Sequence, residues 1–289
     1  MSKYQTGILA EPVPPVARHL FFTLESIEHL PAALQRLTAL VDGDATVVGF
    51  GISVLQALET QLLKLRAFPA LSANGLDIPS TQHAVWCWLR GDDRGELLHR
   101  TNTLIKALAP ALSLVQTTEA FRYKDGHDLT GYEDGTENPV EQAAIDAVFD
   151  TQAPGGTYAA IQHWVHDLSG FKSLPQQEQD HIFGRRLSDN EELDDAPESA
   201  HVKRTAQEDF TPEAFVVRRS MPYIDGEDAG LVFLAFGHTL DSYEMQLRRM
   251  IGLDDGITDG LFRFSRPVTG GYYWCPPVEN AQLDLSALL

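Results

Sequence analysis

The feature that most constrains this 289-residue sequence is a pattern of secondary structure that occurs twice. Apolar periodicity and turn residues predict the order strand, helix, strands, helix and strand in each half. In the first half, strands are predicted over 17–24, 45–51, 84–91 and 112–117, and helices over about 30–40 and 94–109. In the second half, strands are predicted over 157–168, 215–220 and 231–236, helices over 175–185 and 240–251, and a closing strand over 261–264.

A repeat of this kind predicts an α+β fold built from two duplicated ferredoxin-like units. We expect two antiparallel sheets that pack face to face, with the helices outside, as in the dimeric α+β barrel type. The expected halves are residues 1–140 and residues 141–289, fused into one globular unit. The length allows this because single hydrophobic cores stop growing near ~250–300 residues.

Charge and hydropathy exclude several partners. The formal net charge is −19, whereas nucleic-acid binding needs a surplus of Lys and Arg. No apolar run approaches the ~20 residues of a membrane-spanning helix, so no membrane partner is expected. The first residues, Met-Ser-Lys-Tyr-Gln-Thr-Gly, do not resemble a signal peptide, so we expect a cytoplasmic protein. Cys87 and Cys275 are expected to be buried free thiols.

Two long irregular stretches, 124–156 and 187–211, interrupt the repeat, and loops of this length are often functional. The first contains Gly131-Tyr132-Glu133-Asp134-Gly135. Taken alone, this string also fits an Asx turn or a calcium loop, although it lacks the alternating acidic ladder of such a loop. The second stretch contains a single histidine, His201, and Arg218 follows it by 17 positions.

Together these strings resemble the dye-decolourising peroxidase family, in its bacterial cytoplasmic branch. The signature is Gly-x-x-Asp-Gly over 131–135 and Thr-x-Asn-Pro over 136–139, followed by His201 and by Arg218 just before Met221-Pro222-Tyr223. The segments 17–24, 182–185 and 264–273 are also similar to the family. The resemblance covers essentially the whole chain.

The resemblance implies one haem b per chain, held in the second half with His201 as the proximal ligand of the iron. A ligating histidine usually donates its other ring N–H to an acceptor. Asp259 is our candidate for that acceptor, and Asp241 and Glu244 are alternatives. On the opposite face, Asp134 would take a proton from peroxide and pass it to the outer oxygen, and Arg218 would stabilise the developing negative charge.

The remaining candidate cofactor contacts are Thr136, Asn138 and Arg185 for the haem propionates and Ser220 for a pocket water. Arg219 is an alternative to Arg218, because only one of two neighbouring strand residues points inward. A carboxylate base predicts an acid-shifted activity optimum, because an Asp carboxyl in water ionises near pH ~3.9.

The implied function is haem-dependent reduction of hydrogen peroxide, coupled to oxidation of dyes and other aromatic donors one electron at a time. The first alternative is a haem-handling protein for iron release or haem storage, which would need His201 but neither Asp134 nor Arg218. The second is a non-enzymatic interaction module. We expect a homo-oligomer, a dimer or higher. We treat the apolar end over 284–289 as ordinary packing, so an encapsulating protein shell is not the expected partner.

Overall fold

A computed structural model describes residues 4–62, 64–149, 156–280 and 282–289. The strands of these residues are β1 Val16–Leu24, β2 Thr46–Phe50, β3 Leu71–Ala73, β4 Leu76–Ile78, β5 Val85–Gly91, β6 Leu112–Phe121, β7 Thr157–His166, β8 Val217–Arg218, β9 Met221–Asp225, β10 Asp228–Gly237, β11 Ser265–Pro267, β12 Gly271–Cys275, β13 Val278–Glu279 and β14 Gln282–Leu283. The helices are α1 Leu30–Thr38, α2 Ile52–Ala57, α3 Arg94–Leu108, α4 Glu141–Val148, α5 Leu168–Ser173, α6 Gln176–Phe183, α7 His201–Arg204 and α8 Asp241–Met250. Short 3-10 turns cover Thr6–Ile8, Gln207–Asp209 and Gly260–Arg263.

Eight strands form a closed barrel. The neighbours run β7-β12-β2-β5-β1-β6-β9-β10, and β10 pairs back onto β7 over eight residue pairs from Gly230↔Val165 to Gly237↔Tyr158. All described pairings in this ring are antiparallel, so the predicted antiparallel α+β class is confirmed. The short strands β8 and β11 extend the sheet beside β10 and β7.

The expected pair of antiparallel sheets takes the form of this closed ring. The sheets are joined edge to edge, so their inner faces enclose one barrel interior. The joints are narrow: β12 meets β2 at the single pair Trp274↔Phe50, and β6 meets β9 at the single pair Ala120↔Tyr223. Within each half, the four barrel strands follow the same order, with the first strand between the third and the fourth.

Side-chain alternation along the strands separates two cores. In β1, Phe21 belongs to an inner cluster with Trp86, Trp88 and Tyr273, whereas Leu20 and Phe22 belong to an outer cluster with residues of α1, α3 and α8. Both faces of β1 are therefore buried, which explains its nearly continuous apolar sequence. Leu285 and Leu288, near the end of the chain, pack into the outer cluster.

The structure corrects three sequence predictions of local structure. The closing strand of the second half is β12, not 261–264, because the Asp259 side chain accepts a hydrogen bond from Leu261 N and starts a 3-10 turn there. The first irregular stretch contains α4, although its residues 150–155 lie outside the described part of the chain. The predicted strand over 215–220 is only the two-residue β8, and β9 follows it as a separate strand.

Two other observations concern the molecule as a whole. Among the described residues, no helix has the length and apolar character needed to cross a membrane. Cys87 and Cys275 are free and buried, as expected from the sequence.

Candidate active site

Asp134 lies on a loop that is fixed from both sides. Its backbone N–H donates to Gly126 O at 3.1 Å, and Asp128 N donates to Tyr132 O at 2.9 Å. The Tyr132 ring stacks on Phe183 with centroids 4.0 Å apart, and its hydroxyl donates to Asp180. The loop that carries Asp134 is therefore held in place by backbone hydrogen bonds and by the packing of Tyr132.

Arg218 is the last residue of β8, the outermost strand on one side of the sheet. Its side chain is 13% exposed, and its buried Nε has no hydrogen-bond partner among the described residues. Arg219 points elsewhere, because its guanidinium donates to the carbonyls of Ile8 and Leu9 and pairs with Glu11. Strand alternation thus places Arg218 and not Arg219 on the side of Asp134.

The two groups face each other without a direct hydrogen bond. Asp134 Oδ1 lies 3.9 Å from Arg218 Nε, beyond hydrogen-bond distance. A buried donor without a partner is costly, and such donors mark positions where a ligand or water belongs. The Nε of Arg218 is therefore free to donate to a ligand beside Asp134.

His201 is the first residue of α7, and its imidazole is tied to a buried carboxylate. The distance from His201 Nδ1 to Asp259 Oδ2 is 2.7 Å, and the Asp259 side chain has no exposed surface. The helix is anchored separately through Arg204, which makes two bonds of 2.7 Å to Asp255. The alternative acceptors Asp241 and Glu244 pair instead with Arg66.

These side chains line one cavity of about 350 Å³, a size typical of ligand sites. Of the residues predicted from the sequence, the cavity lining includes Asp134, Arg218, His201, Thr136 and Arg185. It does not include Asn138 or Ser220. Apolar side chains form much of the wall, among them Val202, Leu231, Phe233, Met250, Leu261 and Phe264.

Four candidate contacts have partners inside the protein. Arg185 donates to the carboxylates of Glu137 and Glu192, which also line the cavity. Thr136 Oγ1 accepts from Asn190 at 3.3 Å. Asn138 pairs with the backbone of Arg218.

Ser220 is the fourth of these candidates, and its Oγ accepts from Leu234 N at 3.4 Å. This bond ties the hydroxyl to β10. Ser220 therefore lies beside the sheet and outside the cavity lining.

Sequence analysis missed a polar row on β7. Gln162, Trp164 and His166 alternate along the strand and all line the cavity. Two of their donors, Gln162 Nε2 and Trp164 Nε1, are buried and have no hydrogen-bond partner in the described part of the chain. The available signal was that Gln162, Trp164 and His166 stand two positions apart, so that their polar groups lie on one face of a strand.

His166 belongs to a buried chain of hydrogen bonds at the same wall. Its Nε2 lies 3.1 Å from Asp128 Oδ2 and its Nδ1 lies 2.7 Å from Ser265 Oγ. Burial acts to raise the pKa of Asp128, but the hydrogen bond and charge of His166, together with bonds from Thr130, hold that pKa below its usual value. The wall therefore carries a fixed negative charge paired with an imidazole.

The site fits an iron porphyrin. It offers one imidazole whose Nδ1 is held by a carboxylate, walls that are largely apolar, and a guanidinium with an unpartnered Nε. The described residues contain no group of three or more His, Cys, Asp or Glu side chains placed to hold a bare metal ion. His201 alone would need a metal that brings its own ligands, as haem does. Fold and site together thus fit a haem-binding α+β barrel with an acid and an arginine facing the cofactor pocket.

Comparisons with known proteins agree with this description of the fold and the site. A family described as Dyp-type peroxidase, C-terminal, matches residues 125–280, more than half of the chain. The chain is 30% identical over 226 residues to a dye-decolorizing peroxidase of Mycolicibacterium paratuberculosis, a match that spans 75% of this chain and 64% of that relative. The chain belongs to the Dyp-type peroxidase family.

Solved structures support the same assignment. A dye-decolorizing protein from V. cholerae superposes with a TM-score of 0.82 at 30% identity, over 92% of this chain and 95% of that chain. The encapsulated DyP-type peroxidase from Mycobacterium smegmatis has a TM-score of 0.82 at 26% identity, over 96% of each chain.

Proposed function

We propose that this protein is a haem-dependent peroxidase that reduces hydrogen peroxide and oxidises dyes and other aromatic donors one electron at a time. The observation that carries the proposal is the placement of Asp134 and Arg218 in the same cavity as the Asp259-bound imidazole of His201. Haem handling or storage would need the imidazole but neither of the other two groups.

We propose one haem b per chain, which His201 would bind through Nε2 while its Nδ1 is held by Asp259. Bound haem would supply the redox chemistry, since each peroxide needs two electrons and two protons to become two waters. The apolar wall would hold the ring face, and Arg185 and Thr136 are placed at the cavity for its carboxylates. The Arg185 guanidinium would then interact with the haem carboxylates in addition to its ion pairs with Glu137 and Glu192.

In this proposal the protein residues move the proton and stabilise charge. The Asp134 carboxylate accepts a proton from one peroxide oxygen and returns it to the other, which then leaves as water. The Arg218 guanidinium, whose Nε is free, donates to the oxygen that gains negative charge as the O–O bond breaks. The Arg218 Nε is buried, so bulk water competes little for its hydrogen bond.

The test begins with an absorption titration of haem into the purified protein, followed by one equivalent of hydrogen peroxide and a dye donor. We expect a haem band, a prompt spectral change with peroxide and dye oxidation. Asp134→Ala should bind haem normally but slow dye oxidation by about 10²–10⁴-fold. Asp125→Ala, on an exposed part of the same loop, is the control. Normal dye oxidation by the Asp134→Ala protein would favour haem handling. The absence of a haem band in the titration would refute the proposed function.

We also infer that the halves 1–140 and 141–289 are duplicated ferredoxin-like units, because their barrel strands share one order. We propose a cytoplasmic homo-oligomer, which a monomeric mass in solution would contradict. The relative from Mycobacterium smegmatis is encapsulated. For this chain we propose no shell, and Leu285 and Leu288 pack within its own core. Co-purification with a shell protein would reverse that inference.

A further inference from the structure

Strand β8, which carries Arg218, is hydrogen-bonded to β10 on one edge and to a side chain on the other. Strand β8 has only two residues and pairs with β10 through Ala235↔Arg218 and Phe236↔Val217. On the opposite edge, Asn138 Oδ1 accepts from Arg218 N at 2.8 Å and Asn138 Nδ2 donates to Arg218 O at 3.0 Å. The carboxamide thus makes both hydrogen bonds that a neighbouring strand would make with this residue.

The same asparagine is joined to the turn that follows Asp134. Asn138 N donates to Gly135 O at 3.0 Å, which closes a tight turn four residues after the carboxylate. Gly135 has a φ of +77°, and a Cβ there would lie 3.0 Å from Asn138 Nδ2. Glycine at this position therefore leaves the space that the carboxamide needs while it bonds to β8.

A second buried carboxamide makes a parallel connection. Gln207 Oε1 accepts from Val216 N at 2.8 Å, and Gln207 Nε2 donates to Glu137 O at 2.9 Å. The residue is 3% exposed and follows His201 by six positions. It links the loop of Asp134 to the residues before Arg218 and to the segment that follows the proposed iron ligand.

We propose that Asn138 and Gln207 form an amide latch, which sets the position of the Asp134 carboxylate relative to the Arg218 guanidinium. Both are positioning residues that act through Asp134 and Arg218: Asn138 lies outside the cavity lining, and Gln207 lines the cavity but its carboxamide bonds to the backbone of Glu137 and Val216. Three observations support this: Asn138 is absent from the cavity lining, its two bonds both go to Arg218, and the two functional groups come from segments about 80 residues apart. The inference rests on the proposed function, because a displacement of about 1 Å can cost roughly 10²-fold in rate.

The first arm of the test needs no cofactor. Hydrogen exchange of the Arg218 amide, followed by NMR in the apoprotein, should be at least about tenfold faster in Asn138→Ala, because the N–H loses its acceptor. Gln142→Ala is the matched control. It removes an exposed carboxamide from α4, four residues further along the chain, which bonds to Asp146 among the described residues. Unchanged exchange at Arg218 in Asn138→Ala would overturn the latch.

The second arm is a double-mutant cycle on the haem-loaded protein. Asn138→Ala should lower kcat for peroxide-dependent dye oxidation by about 10–10²-fold, yet change haem affinity by less than about twofold. In an Asp134→Ala background the same change should have little further effect, since the group that it positions is gone. Equal fold-losses in both backgrounds, or a large loss of haem affinity, would overturn the proposal.

Near-isosteric variants protect the test against misfolding. Asn138→Asp keeps the acceptor for Arg218 N–H but cannot donate to Arg218 O, and Gln207→Glu likewise keeps the bond to Val216 and loses the donor to Glu137. Both should retain slow amide exchange at the accepted N–H and still lose rate. Full activity in both variants would contradict the latch. A wild-type protein that binds haem but oxidises no dye would refute the proposed function instead, and the exchange arm would still decide whether the latch exists.

Discussion

Asp259 has no exposed side-chain surface, and its two oxygens accept hydrogen bonds from different parts of the site. Oδ2 accepts from His201 Nδ1 and Oδ1 accepts from Leu261 N. A carboxylate oxygen accepts, so this pairing favours the imidazole tautomer that carries its proton on Nδ1 and leaves Nε2 for a ligand. One buried residue thereby favours one tautomer of His201 and fixes the start of the turn Gly260–Arg263.

Asp259→Asn should weaken haem binding or activity by about 10–10²-fold, because an amide is a poorer acceptor and can present N–H groups to the imidazole. The measurement is an absorption titration with haem, followed by the rate of dye oxidation. Asp255→Asn is the control, since it loosens the anchor of Arg204 on the same helix without touching His201. If both variants lose haem equally, Asp259 acts only by holding α7.

At this scale, the sequence predicts which residues line the candidate site better than it predicts what those residues contact. Asp134, His201 and Arg218 are recognisable because their motifs are local strings. The role of Asn138 is not, because its partner is the backbone of a residue 80 positions away, and every residue has the same backbone groups. Gln207 stands in no motif, so only the fold shows that it joins two segments.

At the scale of elements, the end of α6 determines where α7 can lie. Gly184 terminates α6 with a φ of +85°, and a Cβ there would lie 2.4 Å from Val202 Cγ2 and 3.0 Å from Ala200 Cβ. Val202 is the neighbour of His201 and lines the cavity. The glycine therefore permits both the left-handed turn and the close approach of the helix that presents the imidazole.

Gly184→Ala should destabilise the apoprotein by more than ~1–2 kcal/mol, the typical cost of a left-handed conformation, and should also weaken haem binding by shifting α7. Gly226→Ala is the matched control, because Gly226 also has a positive φ of +61° but open space around it. Urea unfolding of both apoproteins and haem titration of both provide the comparison. Equal haem affinity in the two variants would show that the contact with Val202 does not position His201.

The predicted elements were most accurate where a long strand or helix has a regular apolar pattern, as in β1, β7 and α3. The errors fall where short local bonds decide the structure. The run 261–264 is apolar enough for a strand, but the side chain of Asp259 favours a turn there. Strand β8 has only two residues, and on the edge away from β10 the Asn138 carboxamide, and not another strand, bonds to Arg218.

At the scale of the whole molecule, the duplicated pattern predicts the strands but not their closure. Closure depends on two seams of one residue pair each, and no local pattern marks them. It creates an interior that holds histidines as well as aromatic rings. His19 lies between Trp86 and Trp88, and His163 packs against Phe21 and Tyr223.

These interior histidines should make the fold sensitive to acid. Burial, together with the nearby charge of His163, lowers the pKa of His19 to about 3, and burial together with His83 lowers the pKa of His163 to about 4. Between these values and the ~6.5 of an unfolded histidine, the unfolded chain binds protons that the barrel does not. The contribution of these neutral histidines to the free energy of unfolding is therefore complete above pH ~6.5. It falls as the pH decreases, by about 1.4 kcal/mol per pH unit for each histidine.

Urea unfolding of the apoprotein between pH 7 and pH 5 should show this slope, and His19→Asn should reduce it by the share of one histidine. Comparing slopes, and not stabilities at one pH, separates proton binding from the packing that the substitution removes. An unchanged slope in His19→Asn would mean that His19 is protonated or solvated in the folded barrel. The same pH range bears on the proposed function, because the proposed role of Asp134 as a base predicts activity in mild acid, where the barrel loses stability.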